Sequence, residues 1–242
     1  MADGGSMAER VRRVCAVVGV GPGNGAALAR RFARDGYTVA LLARSRPFLD
    51  ELERELPDGR GYTCDVTDEA QVKQVFARVA AELGPVEVLV YNAGSGTWGN
   101  VEEISPAQLE AAFRVNAYGA LVAAQQVIPA MKQAGQGAII FIGATASRRG
   151  GARSAAFAAG KAAQRSLAES MARHLWPAGI HVALIVVDGV VDLASTRQRM
   201  PDQPQSFFIS PDDVAEIAAR LTEQQRSAWS FEVEARPFGE TW

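Results

Sequence analysis

Short apolar runs rich in β-branched residues alternate with longer amphipathic segments from Arg13 almost to the end of the chain. This alternation is typical of strand–helix units that build a parallel sheet. Six runs are continuously apolar, as strands buried on both faces are, and a seventh alternates in the manner of an edge strand. The predicted strands are residues 14–18, 38–42, 61–64, 86–91, 138–142, 181–187 and 231–235.

The segments between these strands have the apolar spacing of amphipathic helices. They are residues 25–35, 46–56, 69–82, 106–133, 154–176 and 211–224. The pattern predicts an α/β fold, with a single doubly wound domain over residues 13–242, a mostly parallel seven-stranded sheet and helices on both faces. Residues 1–12 are predicted to be a disordered lead-in. Residues 190–208 are rich in Pro, Gln and Ser, which favours a mobile loop over a site.

Composition excludes several classes of function. Of the 242 residues 48% are apolar, enough for one sizeable core, and 25 basic against 27 acidic residues give a net charge of -2. That balance offers no positive field for a nucleic acid or an anionic membrane surface. No run approaches the ~20 apolar residues that span a bilayer, so we expect a cytoplasmic protein. Cys15 and Cys64 have no partner at metal-ligand spacing, which predicts reduced, packed thiols and no metal site.

A glycine-rich turn connects the first predicted strand to the first predicted helix. It reads Gly19-Val-Gly21-Pro-Gly23-Asn24-Gly25. Glycines in such a turn let the backbone approach a pyrophosphate, whose charge the N-terminus of the following helix stabilises. Because strand-to-helix turns also use glycine for positive φ alone, the cluster by itself predicts a cofactor and a plain turn equally.

The spacing G-x-x-x-G-x-G resembles that of the short-chain dehydrogenase/reductase family, and further segments resemble the same family in the same order. Asn92-Ala93-Gly94 resembles part of its N-N-A-G motif, and Cys64-Asp65-Val66 resembles its adenine-bracketing segment. Asn116 stands at the position of its helix-bending Asn, and Lys161 at the position of its ribose-binding Lys. The resemblance covers about residues 13–193.

The resemblance implies a Rossmann-type domain that binds a nicotinamide cofactor and transfers a hydride to or from a small organic substrate. The cofactor contacts that it implies are Gly19, Gly21, Gly23, Asn24, Gly25, Asp65, Val66, Asn92, Ala93, Gly94, Lys161, Gly189 and Val191.

The end of the second strand predicts which cofactor is preferred. NAD-binding sheets carry an acidic residue there, which accepts hydrogen bonds from the ribose hydroxyls. Here Ala43 removes that carboxylate, and Arg44 offers a donor fork that matches phosphate oxygens. We therefore expect NADP(H) to be preferred over NAD(H), the alternative being that Arg44 is an ordinary solvated charge.

The positions that carry catalysis in the family differ in this chain. The family's Tyr donates a proton to a carbonyl oxygen, and a Lys four residues later on the same helical face lowers its pKa. Phe157 occupies the Tyr position before Lys161. Ala144 occupies the position of the family's Ser, or Thr145 does if the alignment shifts by one residue. Asn116 and Lys161 are the retained members of the catalytic set.

The segment after the sixth strand also departs from the family. Asp188-Gly189 replaces a Pro-Gly pair, and Leu193 replaces a nicotinamide-contacting Thr. Asp188 and Asp192 are the carboxylates expected at the nicotinamide end, where either could act as an acid or base if burial raised its pKa.

Other polar and aromatic residues have structural explanations that compete with functional ones. Tyr91 and Tyr118 are interpreted as packing groups, and His174 and His181 as helix-end and strand-edge residues. Three arginines follow the fifth strand, where they either hold an anionic substrate or are solvated loop charges. They are Arg148, Arg149 and Arg153.

Two hypotheses for the function follow. The first is an NADP(H)-dependent oxidoreductase with atypical chemistry, such as reduction of a conjugated alkene whose enolate oxygen is stabilised by Thr145, Ser147 or Lys161. The second is a catalytically inactive nucleotide-binding protein that acts as a sensor or as an assembly subunit. A homodimer or homotetramer is expected because small residues form a stripe along the helix that contains Lys161. The stripe consists of Ala155, Ala158, Ala159, Ala162 and Ala163.

Overall fold

Parallel strands form the centre of the computed structural model, which describes residues 12–239. The strands are β1 (Val14–Val18), β2 (Thr38–Ala43), β3 (Gly59–Thr63), β4 (Val86–Tyr91), β5 (Gly137–Ala144), β6 (Ile180–Val187), β7 (Val190–Val191), β8 (Phe208–Ile209) and β9 (Glu232–Ala235). Seven of them form one sheet in the order β3-β2-β1-β4-β5-β6-β9, with every neighbouring pair parallel. β7 and β8 make a separate parallel pair.

Helices cover both faces of this sheet. They are α1 (Asn24–Arg34), α2 (Arg46–Glu55), α3 (Glu69–Glu82), α4 (Pro106–Phe113), α5 (Gly119–Ala134), α6 (Ala155–Leu175), α7 (Ala194–Arg199) and α8 (Pro211–Thr222). α1, α2 and α8 pack on one face, and α3, α5 and α6 pack on the other. The predicted α/β fold of Rossmann type is therefore confirmed, including the seventh strand at the edge.

The apolar runs of the sequence are explained by burial on both sides of the sheet. In β1, Val14, Ala16 and Val18 join the core beneath one helical layer, whereas Cys15 and Val17 join the core beneath the other. Successive side chains of a strand point to opposite faces, so a strand covered on both sides must be apolar throughout. The same packing buries both cysteines as free thiols.

The order of the strands places a crevice between β1 and β4. The chain proceeds from β1 outward to β3, then returns to add β4 on the other side of β1. The loops that leave the carboxyl ends of these two strands therefore diverge, and such a switch point is where open α/β sheets bind ligands. The glycine turn 19–23 lies at this edge of the sheet.

The helix predicted over 106–133 is interrupted, and this part of the prediction was wrong. A π-helical turn, Arg114–Tyr118, separates α4 from α5. The side-chain amide of Asn116 donates to the Ala112 carbonyl (2.8 Å), which the backbone N–H of Asn116 would use in a regular α-helix. The hydroxyl of Tyr91 donates to the Val115 carbonyl (2.6 Å) in the same turn. Because side chains satisfy these carbonyls, the helix can widen there without losing hydrogen bonds.

The segment predicted as a loop at 190–208 contains β7 and α7, so that assignment was also wrong. Polar contacts, rather than a buried apolar face, hold this segment in its conformation. Its apolar residues therefore show only weak helical or strand periodicity. Thr196 donates to the Val191 carbonyl (2.7 Å), and Arg197 forms an ion pair with Asp192 (2.7 Å).

Two predictions concern the ends of the chain and membrane spans. The predicted lead-in at 1–12 lies outside the described residues, apart from Arg12. Among the helices within residues 12–239, none combines the length and apolarity that a bilayer crossing needs.

Candidate functional site

The glycines of the turn after β1 serve different purposes. A Cβ on Gly19, whose φ is +90°, would lie 2.5 Å from the Cα of Ala93. A Cβ on Gly25 would lie 2.6 Å from the carbonyl oxygen of Gly19. Gly21, in contrast, has no neighbouring atom within 4 Å of its would-be Cβ. Gly19 and Gly25 are therefore required by close backbone packing, whereas Gly21 borders open space in front of α1.

A pocket of about 290 Å³ lies beside this turn, at the ends of β2 and β4. It brings together the predicted adenosine-side contacts with Arg44, which follows Ala43 at the end of β2. Its lining includes Gly19, Ala43, Arg44, Asp65, Val66, Asn92, Ala93 and Gly94. The backbone N–H and the hydroxyl of Thr67 hydrogen-bond the Asp65 carboxylate (2.9 and 2.8 Å). Together with the nearby charge of Arg44, they lower the pKa of Asp65, which keeps its carboxylate ionised.

A larger cavity of about 540 Å³ adjoins this pocket, because Asn92 and Gly94 line both. It opens at the carboxyl ends of β5 and β6. Its lining contains nine residues of the predicted site, namely Asn24, Asn92, Gly94, Ala144, Thr145, Phe157, Lys161, Gly189 and Val191. It also contains Trp98, Ile142, Gly143, Ala146, Arg149, Gly150, Gly151, Ser154 and Val187.

The two neighbouring volumes are where a nicotinamide dinucleotide could bind. They share Asn92 and Gly94, and Asn24, the first residue of α1, lines the larger one; no side chain caps the N-terminus of this helix, which could therefore stabilise a phosphate. Among the described residues, the Oδ1 atoms of Asn24 and Asn116 are buried without a hydrogen-bond partner. A buried amide oxygen without a donor is costly, so Asn24, which lines the large cavity, is a candidate acceptor for a ligand N–H or O–H. Asn116, the predicted catalytic Asn, is fully buried and lines neither pocket. Arg44 and the glycine turn would hold phosphates, and Asn24 and Lys161 line the part of the cavity that the nicotinamide riboside would occupy.

Lys161 is buried at the inner wall of the large cavity, with 5% of its surface exposed. Its Nζ donates to the Ile142 carbonyl (2.8 Å) and to Oε1 of Gln164 (3.1 Å). Burial lowers the pKa of Lys161 from 10.5 to about 7, because a charged ammonium is poorly solvated there. The side chain is thus poised to exchange a proton near neutral pH.

Gln164 completes this arrangement, and the sequence did not single it out. Its side chain is fully buried, and its Nε2 donates to the Asn116 carbonyl (3.0 Å). Gln164 therefore bridges Lys161 to the π-helical turn. The available signal was a long polar residue one turn after Lys161, among small residues of the same helix.

Phe157 and Ala144 both line the large cavity, as their spacing from Lys161 and β5 predicts. The ring of Phe157 lies 5.2 Å from that of Trp98, another residue that the sequence did not single out. Neither Tyr91 nor Tyr118 lines this cavity. The hydroxyl of Tyr91 is bound in the core to Val115, and burial raises its pKa far above the usual value. The hydroxyl of Tyr118 donates to Glu69 (2.6 Å).

The structure distinguishes between the three residues considered as hydrogen-bond donors to an enolate oxygen, which are Thr145, Ser147 and Lys161. Ser147 is not among the residues that line the cavity, and its Oγ accepts the backbone N–H of Ala144 (3.1 Å), which argues against the role considered for it. Thr145 lines the cavity, but its hydroxyl donates to Oδ1 of Asp188. Lys161 remains as the donor with an uncommitted N–H, since an ammonium has three.

The charged residues around the cavity are mostly paired. Arg236 binds Asp188, and Arg148 binds Glu232 and Glu234. Asp192 is held by Arg197 and does not line the cavity, which argues against the acid–base role considered for it.

The two histidines lie away from the cavity. His181 packs flat on Trp229 with a centroid distance of 4.7 Å, and His174 contacts Lys132 (3.3 Å). Their structural interpretation is therefore the better one.

Comparisons with known proteins agree with this geometry. A family model described as "short chain dehydrogenase" matches residues 13–204. The 3-oxoacyl-(acyl-carrier-protein) reductase MabA of Mycobacterium bovis is 34% identical over 226 residues, which cover 90% of this chain and 88% of that protein. The crystal structure of a short-chain dehydrogenase from Rhodopseudomonas palustris is 33% identical, with a TM-score of 0.80, and covers 93% of this chain and 99% of that one.

A metagenomic short-chain oxidoreductase solved in complex with NADP is 30% identical, with a TM-score of 0.81. The match covers 95% of this chain and 99% of that one. Both structures therefore share nearly the whole architecture described above.

Proposed function

The chain belongs to the short-chain dehydrogenase family, and from this premise we propose that it is an NADP(H)-dependent oxidoreductase with an atypical active site. When bound, the nicotinamide supplies or accepts the hydride. The substrate is a small organic molecule that enters the 540 Å³ cavity. The observation that carries the proposal is the position of Lys161, which is buried in the lining of a cavity in which Phe157 stands at the family's Tyr position.

In this proposal Lys161 stabilises the negative charge that develops on the substrate oxygen. Two of its three N–H groups are held by Ile142 and Gln164, which leaves one for a substrate oxygen. A pKa of about 7 lets the ammonium stabilise a developing oxyanion and release a proton to it at neutral pH. Gln164 holds the side chain of Lys161 in place, and the backbone carbonyl of Asn116 in the π-helical turn accepts from Gln164 in turn.

A conjugated carbonyl compound suits this arrangement best. A hydride would add to the alkene carbon remote from the carbonyl, and the π electrons would shift to the carbonyl oxygen, giving an enolate that Lys161 stabilises. A proton would then add to the other carbon of the former alkene. One hydride and one proton are consumed for each alkene reduced. The name of the MabA relative indicates a 3-oxoacyl substrate. In this chain such a ketone would lack the phenol that normally protonates its oxygen during hydride addition, which is why we favour the conjugated class.

NADP(H) is the cofactor that we propose in preference to NAD(H). Arg44 lines the adenosine-side pocket next to Ala43, where a carboxylate would repel a 2′-phosphate. NADP bound to the metagenomic relative supports the same choice.

The proposal is tested by following NADPH absorbance with 4-phenyl-3-buten-2-one, a conjugated enone, from pH 5 to pH 9. Turnover should be highest at low pH and fall as pH rises through about 7, because the neutral amine of Lys161 no longer stabilises an oxyanion. Lys161→Met should lose about 10²–10⁴ in rate, a typical loss for a positioned acid. Lys132→Met, a change at an exposed lysine, is the control.

NADPH binding without turnover of enones or ketones would instead favour the nucleotide-binding sensor or assembly subunit. Turnover that is unaffected by Lys161→Met would contradict the proposed role of the lysine.

We also propose a homo-oligomer in the cytosol. Ala159 and Ala162 are exposed on α6, as a small-residue contact between two helices requires, whereas Ala158 is buried within its own subunit. The buried free thiols of Cys15 and Cys64 suit a reducing compartment. Light scattering at micromolar concentration should give a dimer or tetramer mass, and a monomer mass would contradict this.

A further inference from the structure

Trp98 is unusually exposed for a tryptophan that lines a cavity. It follows β4 in a glycine-rich loop, and 62% of its surface is accessible. Its neighbour in the cavity is Phe157, whose ring is tilted by 42° at a centroid distance of 5.2 Å. Leaving so large an aromatic surface in water is unfavourable, and a ligand that covers it would recover that area.

The residues near this aromatic pair are small. Ala144, Gly150 and Gly151 line the same cavity as the two rings, and none of them carries more than a methyl group. The phenol and hydroxyl that the family places here are replaced by Phe157 and Ala144, which leaves an aromatic wall with no hydroxyl at either position. A flat, apolar molecule fits such a wall better than a hydroxylated one.

The charge of the cavity has one sign. Among the described residues that line it, the ionisable side chains are Lys161 and Arg149, and no carboxylate is among them. Arg149 differs from its neighbour Arg148, which has two glutamates as partners. The nearest carboxylate to Arg149 within the described chain is Asp188 at 3.8 Å, and both oxygens of Asp188 already accept bonds from Thr145 and Arg236. Arg149 therefore retains donors for an anion at the cavity mouth.

We propose that the outer part of this cavity binds a flat aromatic or conjugated molecule that carries one anionic group, with Trp98 and Phe157 contacting its plane and Arg149 binding the anion. This substrate class rests on the proposed function, because the inner part of the cavity is assigned to the nicotinamide. The reacting carbon then lies toward Lys161, and the anionic group lies toward solvent.

Calorimetry on the NADP⁺-loaded protein tests this with three matched probes. 4-Acetylbenzoate is flat and anionic, 4-acetylbenzamide is flat and neutral, and trans-4-acetylcyclohexanecarboxylate is anionic and not flat. 4-Acetylbenzoate should bind at least tenfold more tightly than either of the others. Arg149→Gln should abolish the preference over the amide, and Trp98→Leu should abolish the preference over the cyclohexane acid.

Arg153→Gln is the matched control, because Arg153 is an exposed arginine of the same loop that does not line the cavity and lies 3.8 Å from Glu103. It should change neither preference. Equal binding of 4-acetylbenzoate and either comparator, or equal losses in Arg149→Gln and Arg153→Gln, would overturn the inference.

A separate NADP⁺ titration distinguishes the two levels of the proposal. If NADP⁺ does not bind, the proposed function fails, and the same probe titrations on the free protein still decide the inference. If NADP⁺ binds and the probes show no preference, the inference alone fails.

Discussion

The crevice has a nucleotide side, next to the glycine turn, and a reacting side, around Lys161, and the two sides differ in the kinds of residue that form them. On the nucleotide side, glycines allow backbone segments to pack closely, as Gly19 does against Ala93, and polar side chains such as Arg44 line a pocket next to them. On the reacting side, Phe157 and Ala144 provide apolar surface, and Lys161 is the buried cation. Both sides lie at the same edge of the same sheet.

This difference shows which part of a site can change without loss of the fold. The close contacts of Gly19 and Gly25 are part of the packing between β1, α1 and the loop after β4, so they are tied to stability. Phe157 lies partly exposed in the cavity wall, where exchange of a hydroxyl for hydrogen alters chemistry and leaves the packing nearly unchanged. We therefore expect changes at Gly19 or Gly25 to reduce stability, and changes at Phe157 to alter chemistry with little effect on the fold.

Gly19→Ala should have the largest effect on the nucleotide side, because it should lower both the stability of the protein and its affinity for NADPH. A left-handed backbone costs an alanine about 1–2 kcal/mol, and forcing a methyl group against a packed backbone costs about 1–3 kcal/mol more. The melting temperature should fall by roughly 5–15 °C, and NADPH affinity should fall with it.

Gly36→Ala is the control for Gly19→Ala. Gly36 also has a positive φ (+82°), but its would-be Cβ meets no atom within 4 Å. It should lose stability through strain alone and keep its NADPH affinity. Calorimetry and fluorescence titration measure both effects, and an unchanged NADPH affinity in Gly19→Ala would contradict the proposed cradle.

Arg44→Gln should change the preference for NADPH over NADH and nothing else on the nucleotide side. Loss of a charge-assisted contact to the 2′-phosphate should weaken NADPH binding by about 1.5–3 kcal/mol, or roughly 10–150-fold, and leave NADH binding unchanged. Arg46→Gln is the matched control, because Arg46 is already bound to Asp50 and Glu53. Fluorescence titrations with both cofactors decide the question, and a constant NADPH-to-NADH ratio would refute the role of Arg44.

Substitutions at Gln164 should have the smallest effect. They should shift the pH dependence of activity, because Gln164 accepts a hydrogen bond from Lys161. Gln164→Glu places a carboxylate beside Lys161 and should raise its pKa, so that activity persists to higher pH. Gln164→Leu removes an acceptor of the ammonium and should lower that pKa, so that activity is lost at lower pH.

The control for these variants is Gln126→Leu, which removes a comparable amide that donates to the Val122 carbonyl (2.9 Å) on α5. Its pH profile should match that of the wild type. Identical inflections in both Gln164 variants would mean that Gln164 does not hold Lys161.

Features set by residues that are close in sequence, such as strands and helix faces, could be predicted. Contacts between residues that are far apart in sequence could not. The pattern of apolar residues indicated all seven strands of the main sheet. It did so most directly for strands such as β1 and β6, whose burial on both faces is recorded in consecutive residues, whereas β3 and β9 are partly exposed. The spacing of Phe157 and Lys161 on one helix predicted that both line one cavity, since residues four apart share a face.

Contacts between distant segments had no such signal. Gln164 meets the Asn116 carbonyl across 48 residues, and Thr145 meets Asp188 across 43. The π-helical turn depends on Tyr91 and Asn116 taking carbonyls of the helix, which the apolar spacing of 106–133 does not reveal.

Ketone reduction by the wild type and by the double variant Phe157→Tyr/Ala144→Ser tests most directly whether the two sides differ as described. The wild type should bind NADPH yet reduce a panel of saturated ketones and aldehydes little above background. The double variant should gain measurable activity, because it restores a phenol four residues before Lys161 and a hydroxyl after β5. The gain is limited by substrate placement, since misplacement alone can cost about 10²-fold. Vigorous ketone reduction by the wild type that survives Phe157→Ala would contradict this view, because another residue would then supply the proton.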